Sequence, residues 1–211
     1  MRSILACLIL ATSVAHLAAA DRVKSVSIFD GKTFLGWEGD TVKTWRIENG
    51  AIVGGTLNEK VPRNEFVATK RSYTNFVLRL KFKLVGMEGF VNGGVQFRSQ
   101  RISNPPNEMT GYQADIGDGW WGALYDESRR NKVLTKPEAG VVEKILNRNE
   151  WNDYEVRCEG KRIRLSINGQ QTVDYTEPEG DIPQHGVLGL QVHGGGKTEV
   201  SYKDITIEEL L

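Results

Sequence analysis

Through most of the chain beyond residue 20, apolar and polar positions alternate with period two, the spacing of strands that bury one face. In "NFVLRLKFKLV" (75–85) the residues Phe76, Leu78, Leu80, Phe82 and Leu84 share one face, while Arg79, Lys81 and Lys83 share the other. "WNDYEVRCEG" (151–160) sets Tyr154, Val156 and Cys158 against Glu155, Arg157 and Glu159. "KRIRLSINGQQTVDY" (161–175) predicts a hairpin: Ile163, Leu165 and Ile167 run up to Asn168-Gly169, and Val173 and Tyr175 run back. Asn-Gly accepts the positive φ angles of a tight primed turn. The closing run "SYKDITIEEL" (201–210) alternates in the same way, and only "PEAGVVEKILNRNEW" (137–151) has a helical pattern. Many strands with one apolar face each, turned by 23 glycines, predict an all-β domain of two packed antiparallel sheets. No linker, repeat or low-complexity tract divides it.

Residues 1–20, "MRSILACLILATSVAHLAAA", depart from this pattern. A basic Arg2, an apolar run and Ala18-Ala19-Ala20 before Asp21 have the layout of a signal peptide, and the apolar run is short for a membrane span. The expectation is an exported chain, secreted or periplasmic, with residues 21–211 as one domain. Lys and Arg number 27 against 27 Asp and Glu, without the basic excess a nucleic-acid binder needs. With residues 1–20 removed only Cys158 remains, so the processed chain is expected to form no disulfide with itself. Its place in phase with Tyr154 and Val156 predicts a buried structural thiol.

Candidate chemistry lies on the other face of three strands. In "GGVQFRS" (93–99), Val95 and Phe97 turn to the core and Gln96 and Arg98 away from it. In "GYQADIG" (111–117), Tyr112, Ala114 and Ile116 go in and Gln113 and Asp115 out. In "LGLQVHGGG" (188–196), Leu188, Leu190 and Val192 go in and Gln191 and His193 out. Each outward pair joins an amide to an ionisable group, and the flanking glycines allow close approach of a ligand or another backbone. Adjacent strands would make a polar floor of Gln96, Arg98, Gln113, Asp115, Gln191 and His193, suited to a molecule rich in hydroxyls. The segment "GDGWWGALYDESRRN" (117–131) supplies Trp120, Trp121 and Tyr125 as aromatic walls. Arg129 and the carboxylate of Glu65 complete the candidate sugar contacts. The competing readings are a Trp pair capping the core, a solvated "ESRR" cluster, and Trp37, Trp45 and Trp151 as core packing. Asp115, Asp118 and Asp126 leave a divalent cation open, but their spacing matches no calcium loop, and no cofactor is predicted.

The ordered motifs "FDGKTFLGW" (29–37), "WRIENGAIVGG" (45–55), "NFVLRLKFKL" (75–84), "NGGVQFRS" (92–99), "GYQADIG" (111–117), "EWNDYEVRCEGKRIRLSINGQQTVDYTE" (150–177) and "GVLGLQVHGGG" (186–196) resemble the 3-keto-disaccharide hydrolase-type domain family over about residues 27–211. The resemblance implies a concanavalin A-like jelly-roll sandwich whose sheet carries the site. It also implies a substrate class, glycosides already oxidised to a ketone at sugar carbon 3. Such a ketone acidifies the hydrogen on carbon 2, so a base starts an elimination that expels the group on carbon 1, and water completes a net hydrolysis. By residue type and strand face, Asp115 or His193 is the expected base, Arg98 the partner of the enolate oxygen, and Glu127 or Tyr125 the acid for the leaving group. Two competitors remain. A conventional jelly-roll glycosidase needs a carboxyl pair, and Gln113 stands where that pair would want an acid, although Glu65, Asp126 or Glu127 could supply one. A lectin-like module would use the same floor and walls without turnover, and a structural cell-envelope domain would use neither.

Overall fold

The computed structural model describes residues 24–105 and 107–211, so the expected signal peptide lies outside the described residues. Among them, alternation becomes strand almost everywhere. The strands are β1 (Val26–Ser27), β2 (Trp37–Glu38), β3 (Trp45–Glu48), β4 (Ala51–Thr56), β5 (Glu65–Tyr73), β6 (Phe76–Gly89), β7 (Asn92–Arg101), β8 (Met109–Gly117), β9 (Leu124–Glu127) and β10 (Lys132–Thr135). After the short helix α1 (Val141–Ile145) come β11 (Asn152–Glu159), β12 (Arg162–Ile167), β13 (Gln170–Thr176), β14 (Gly186–Val192) and β15 (Gly196–Glu209).

Two antiparallel sheets result. The back sheet runs β13-β12-β11-β6-β15-β4-β3, with β1 added against β15. The site sheet runs β10-β9-β8-β7-β14-β5-β2. Strands β7 to β10 and β11 to β13 pair in place with their chain neighbours, while β4 to β7 and β13 to β15 cross from one sheet to the other at each step, giving a jelly-roll sandwich. The predicted hairpin is β12–β13, and its turn residues take the positive angles expected of them, φ 49° at Asn168 and 80° at Gly169.

The inner faces meet in one continuous core. From the back sheet come Phe76, Leu78, Leu80, Phe82, Tyr154, Val156, Ile163 and Leu165, and from the site sheet Val95, Phe97, Tyr112, Ala114, Ile116, Leu188, Leu190 and Val192. Cys158 is buried among them, and burial pushes its thiol up to about 12. This is an inert packing group. Trp37 and Trp45 are core residues. Trp151 is not: it lies half-buried on the outer face of the back sheet, where Lys83 and Lys203 sit 5.5 and 4.1 Å from its ring. A lysine over an indole face is itself a favourable contact, so the charged outer stripe covers this ring. Among the described residues no helix is long and apolar enough to cross a membrane.

Candidate functional site

β8, β7 and β14 are neighbours in the site sheet, in that order, so the three unusual outer faces form one surface. Register sets its pattern. Gln96 lies opposite Gln113, Gly94 opposite both Asp115 and Gln191, and Tyr125 of β9 opposite Gln113. Asn92 shares the face of Gly94 and Gln96 by period two, as Glu127 shares that of Tyr125. Beneath this floor the core Tyr202 hydroxyl donates to Gln191 O (2.8 Å) and accepts from Gly94 N–H (3.2 Å), and so pins both strands.

The surface opens into a cleft of about 180 Å³ lined by Phe90, Asn92, Gln113, Asp115, Trp120, Tyr125, Glu127 and His193. The connection between β8 and β9 brings the aromatics in. It is a tight return in which Trp120 N–H donates to Gly117 O (2.9 Å) and Ala123 N–H to Trp120 O (2.9 Å). Gly122 N–H donates to Asp115 O (3.1 Å), so the loop is tied to the strand that carries Asp115. Trp120 meets Tyr125 edge to face with centroids 5.7 Å apart, and Lys136 covers its ring at 5.0 Å. On the other wall Phe90 meets His193 edge to face at 4.6 Å.

Two carboxyls titrate near neutrality here. Asp115 is 3% exposed. Burial, with the charge of Glu127, pushes it up to about 7 against hydrogen bonds from Gln113 and Asn92. Glu127 also rises to about 7, through burial and then the nearby Glu108 carboxylate. Carboxyls held near 7 exchange protons readily at physiological pH. Burial lowers His193 below its ordinary value. Its Nδ1 is 2.7 Å from Gly194 O, an acceptor only, so Nδ1 carries the proton and Nε2 keeps its lone pair.

Not every expected site residue reaches this cleft. Gln96 and Gln191 are fully buried beneath it. A small cluster of Phe66, Ala68 and Met109 packs on the same side of the sheet, and the glycines of these strands make room for side chains rather than for a ligand. A Cβ on Gly94 would meet Gln113 at 2.8 Å, and one on Gly189 would meet Met109 Sδ at 2.7 Å.

Arg98 departs most from its expected place. The β7–β8 register slips between Phe97 and Gln100, and Arg98 itself takes φ 48°, so alternation stops one residue before it. Its guanidinium is 1% exposed and donates to Thr74 O (2.5 and 2.8 Å), Gly160 O (2.7 Å), Gln184 Oε1 (2.5 Å) and Asn75 Oδ1 (3.3 Å). It ties three connections together and is not available to an enolate oxygen in the cleft.

Trp121 packs on the core, stacked on Phe82 at 6.3 Å, with its Nε1 donating to Asp118 (2.8 Å). Arg129 lies on the far side of β9, bonded to Asp126 (2.9 Å) and 4.5 Å from the centre of the Tyr112 ring. Glu65 is buried away from the cleft lining, accepting from Arg63 (3.0 Å) and Asn107 (3.2 Å). Asp126 is buried with Arg129 and Arg130, Asp118 is exposed with Arg148, and Asp115 is in the cleft. The three aspartates therefore share no cation site, and among the described residues no cluster of three or more His, Cys, Asp or Glu converges.

Sequence reasoning missed Phe90, Asn92 and Glu108. Asn92 was readable, two and four residues before Gly94 and Gln96 on one face. Phe90 and Glu108 come from strand connections, where period two is silent.

Two antiparallel sheets packed face to face, with the cleft on the outer face of one, define a jelly-roll sandwich. Residues 24–208 match the 3-keto-alpha-glucoside-1,2-lyase-like domain, and the chain belongs to that family. No curated protein matches it. Among solved structures, a Parabacteroides distasonis protein provisionally designated a glycosyl hydrolase superposes with a TM-score of 0.65 at 22% identity, over 89% of this chain and 94% of that one. The carbohydrate-binding module CBM66 from Bacillus subtilis gives 0.63 at 16% identity, over 82% and 96%. A Bacillus licheniformis β-glucanase gives 0.54 at 8% identity, over 83% and 92%. At these identities the likeness is one of fold.

Proposed function

We propose that the cleft cleaves glycosides already oxidised to a ketone at sugar carbon 3, by elimination followed by hydration. The supporting observation is the convergence of Asp115, Glu127 and His193 in one aromatic-walled cleft, with both carboxyls raised to about 7. A 3-ketone makes the carbon-2 hydrogen acidic, so a base of modest strength suffices. Asp115, the carboxyl with two amide donors, takes that proton. The electrons of the broken C–H bond form the double bond between carbons 1 and 2, and the bond from carbon 1 to the leaving oxygen breaks. Glu127, whose side-chain amide partner Gln191 is a long 3.5 Å away, gives its proton to that oxygen. Water then adds at carbon 1 as carbon 2 regains a proton, and the net change is hydrolysis. With Arg98 committed elsewhere, Tyr125 and Asn92 are left as neutral donors toward the oxygen on carbon 3. His193, neutral with a free Nε2, lies beside the pair as a second acceptor. Trp120 and Phe90 present apolar ring surface to the sugar. The chain is proposed to act outside the cytoplasm, as its first twenty residues suggest.

The test uses the purified protein and matched disaccharides, one unmodified and one 3-keto, with and without a chelator, products being followed by chromatography. Release from the keto sugar alone is the expected result, abolished in Asp115→Asn. Cleavage of the unmodified sugar would make this a conventional glycosidase. Binding of either sugar without release would make it a recognition module.

A further inference from the structure

Under the cleft lies a chain of hydrogen bonds with one direction. Ser99 Oγ donates to Gln96 Oε1 at 2.6 Å, and Gln96 Nε2 donates to Gln113 Oε1 at 2.9 Å. Gln113 Nε2 has two hydrogens and two acceptors, Asp115 Oδ1 at 3.0 Å and Gln191 Oε1 at 3.1 Å. Gln191 Nε2 then faces Glu127 Oε2 at 3.5 Å. Ser99, Gln96, Gln113 and Gln191 are all at most 2% exposed, so water does not substitute for a lost partner. Turning Gln113 over would set its carbonyl oxygen against the Asp115 carboxylate and against Gln191 Oε1 at once.

We propose that the Ser99–Gln96–Gln113–Gln191 chain is a positioning device that assigns the proton between the two cleft carboxyls: it spends its one short donor on Asp115, which is ionised, and leaves Glu127 as the protonated partner. The proposal deepens the functional reading above by naming what divides the acid and base roles. None of the four needs to touch the reacting atoms for this. At the far end the Ser99 hydroxyl, with Gln96 Oε1 at 2.6 Å nearer than Phe97 O at 3.0 Å, supports through two intervening amides the direction that the acceptor-only Asp115 carboxylate requires. The surroundings agree in sense. Asp115 is faced by Glu127, Tyr154 and Tyr202, and by Asn92 and the Lys136 ammonium, which favour its anion. Tyr125 lies near Asp115, Glu127 and Asp126. Glu127 is faced by the carboxylates of Glu108 and Asp126, which oppose a second negative charge, against the Ser128 N–H and Gln191, which favour it. His193 is near Glu108.

The experiment reads the protons directly, without substrate. Carboxyl carbons of Asp and Glu are labelled with ¹³C, assigned by Asp115→Asn and Glu127→Gln, and titrated by NMR in the wild type, Gln113→Leu and Ser99→Ala. The expected order is Asp115 ionising before Glu127. Gln113→Leu should raise the Asp115 midpoint by about one pH unit or more, the value of a hydrogen bond to a charged group. Ser99→Ala, a smaller side chain in the same space, should narrow the gap between the two midpoints. Glu127 ionising first in the wild type would overturn the proposal. So would an Asp115 midpoint indifferent to both substitutions, and if Gln113→Leu does not fold, the wild-type order and Ser99→Ala decide. Because no turnover is measured, a protein inert toward 3-keto sugars would sink the elimination reading and leave this assignment to stand or fall alone.

Discussion

Trp120 and Trp121 are neighbours in the chain with separate surroundings. Trp120 lines the cleft, edge to face with Tyr125 and covered by Lys136. Trp121 stacks on Phe82 and joins the core. Truncating each should therefore give different losses. Trp120→Ala removes sugar-facing ring surface worth about 1–2 kcal/mol, roughly a tenfold weaker sugar affinity, with little change in melting temperature. Trp121→Ala removes packing from the end of the core and should cost about 2–3 kcal/mol of stability, while sugar affinity moves less. Calorimetric titration with a keto-disaccharide, set beside urea unfolding of the same two variants, checks the split. Equal effects of both substitutions on affinity would mean that Trp121 also faces the ligand.

At the scale of elements, β9 is the least legible part of the site and the one most dependent on distant residues. "LYDE" reads as a charged loop, because two acids in four residues do not suggest a strand. In the fold it alternates: Tyr125 and Glu127 face the cleft, and Asp126 faces inward at 0% exposure. What makes an inward aspartate tolerable lies partly far along the chain. Arg129 and Arg130 bind Asp126, and Arg130 also holds Glu177 (2.8 Å) and Glu179 (2.9 Å). Glu177 in turn accepts from the Tyr112 hydroxyl at 2.7 Å. Replacing Arg130 with Met strips the shared cation from two buried carboxylates, which should cost about 3 kcal/mol in urea unfolding and lower turnover by loosening the strand that carries Glu127. No loss of stability would show that the cluster does not anchor β9. Strands β7, β8 and β14 differ. There, period two correctly placed Gln96, Gln113, Asp115, Gln191 and His193 on one outer face, because each strand carries inward apolar residues on both sides of its polar ones. It failed at Arg98, where a register slip and a positive φ turn the side chain to the ends of three other connections. A bulge leaves the composition of a strand unchanged, so nothing in "VQFRS" announces it. The pairing of β9 beside β8, and with it the partner of Asp115, was equally silent, since β9 itself does not read as a strand although a short return joins it to β8.

For the molecule as a whole, the cleft should be visible in how stability depends on pH. Asp115 and Glu127 have folded-state values of about 7 against ordinary values of 3.8 and 4.5. Raised carboxyls bind protons better in the folded chain, so their contribution is fully present below the ordinary values and is lost as pH rises toward 7. Glu177 behaves oppositely. Burial works to raise it, but the bonds from Arg130 and Tyr112 prevail and hold it down to about 2, against an ordinary 4.5. Its contribution is present above 4.5 and is lost as pH falls through 2. The two trends cross in acid, and the melting temperature should peak near about pH 4–5, decline up to about pH 7 and then level off. Asp115→Asn separates this from general acid sensitivity. The amide oxygen still accepts from Gln113, while the ionisation penalty disappears, so at pH 8 the variant should be more stable than the wild type by on the order of a few kcal/mol. At pH 3.5 the advantage should nearly vanish, because Asp115 is then protonated in the folded wild type. A gain in stability joined to a loss of turnover is the expected mark of a buried charge kept for chemistry. A variant destabilised at both pH values would instead mean that Asp115 serves the sheet and not the cleft.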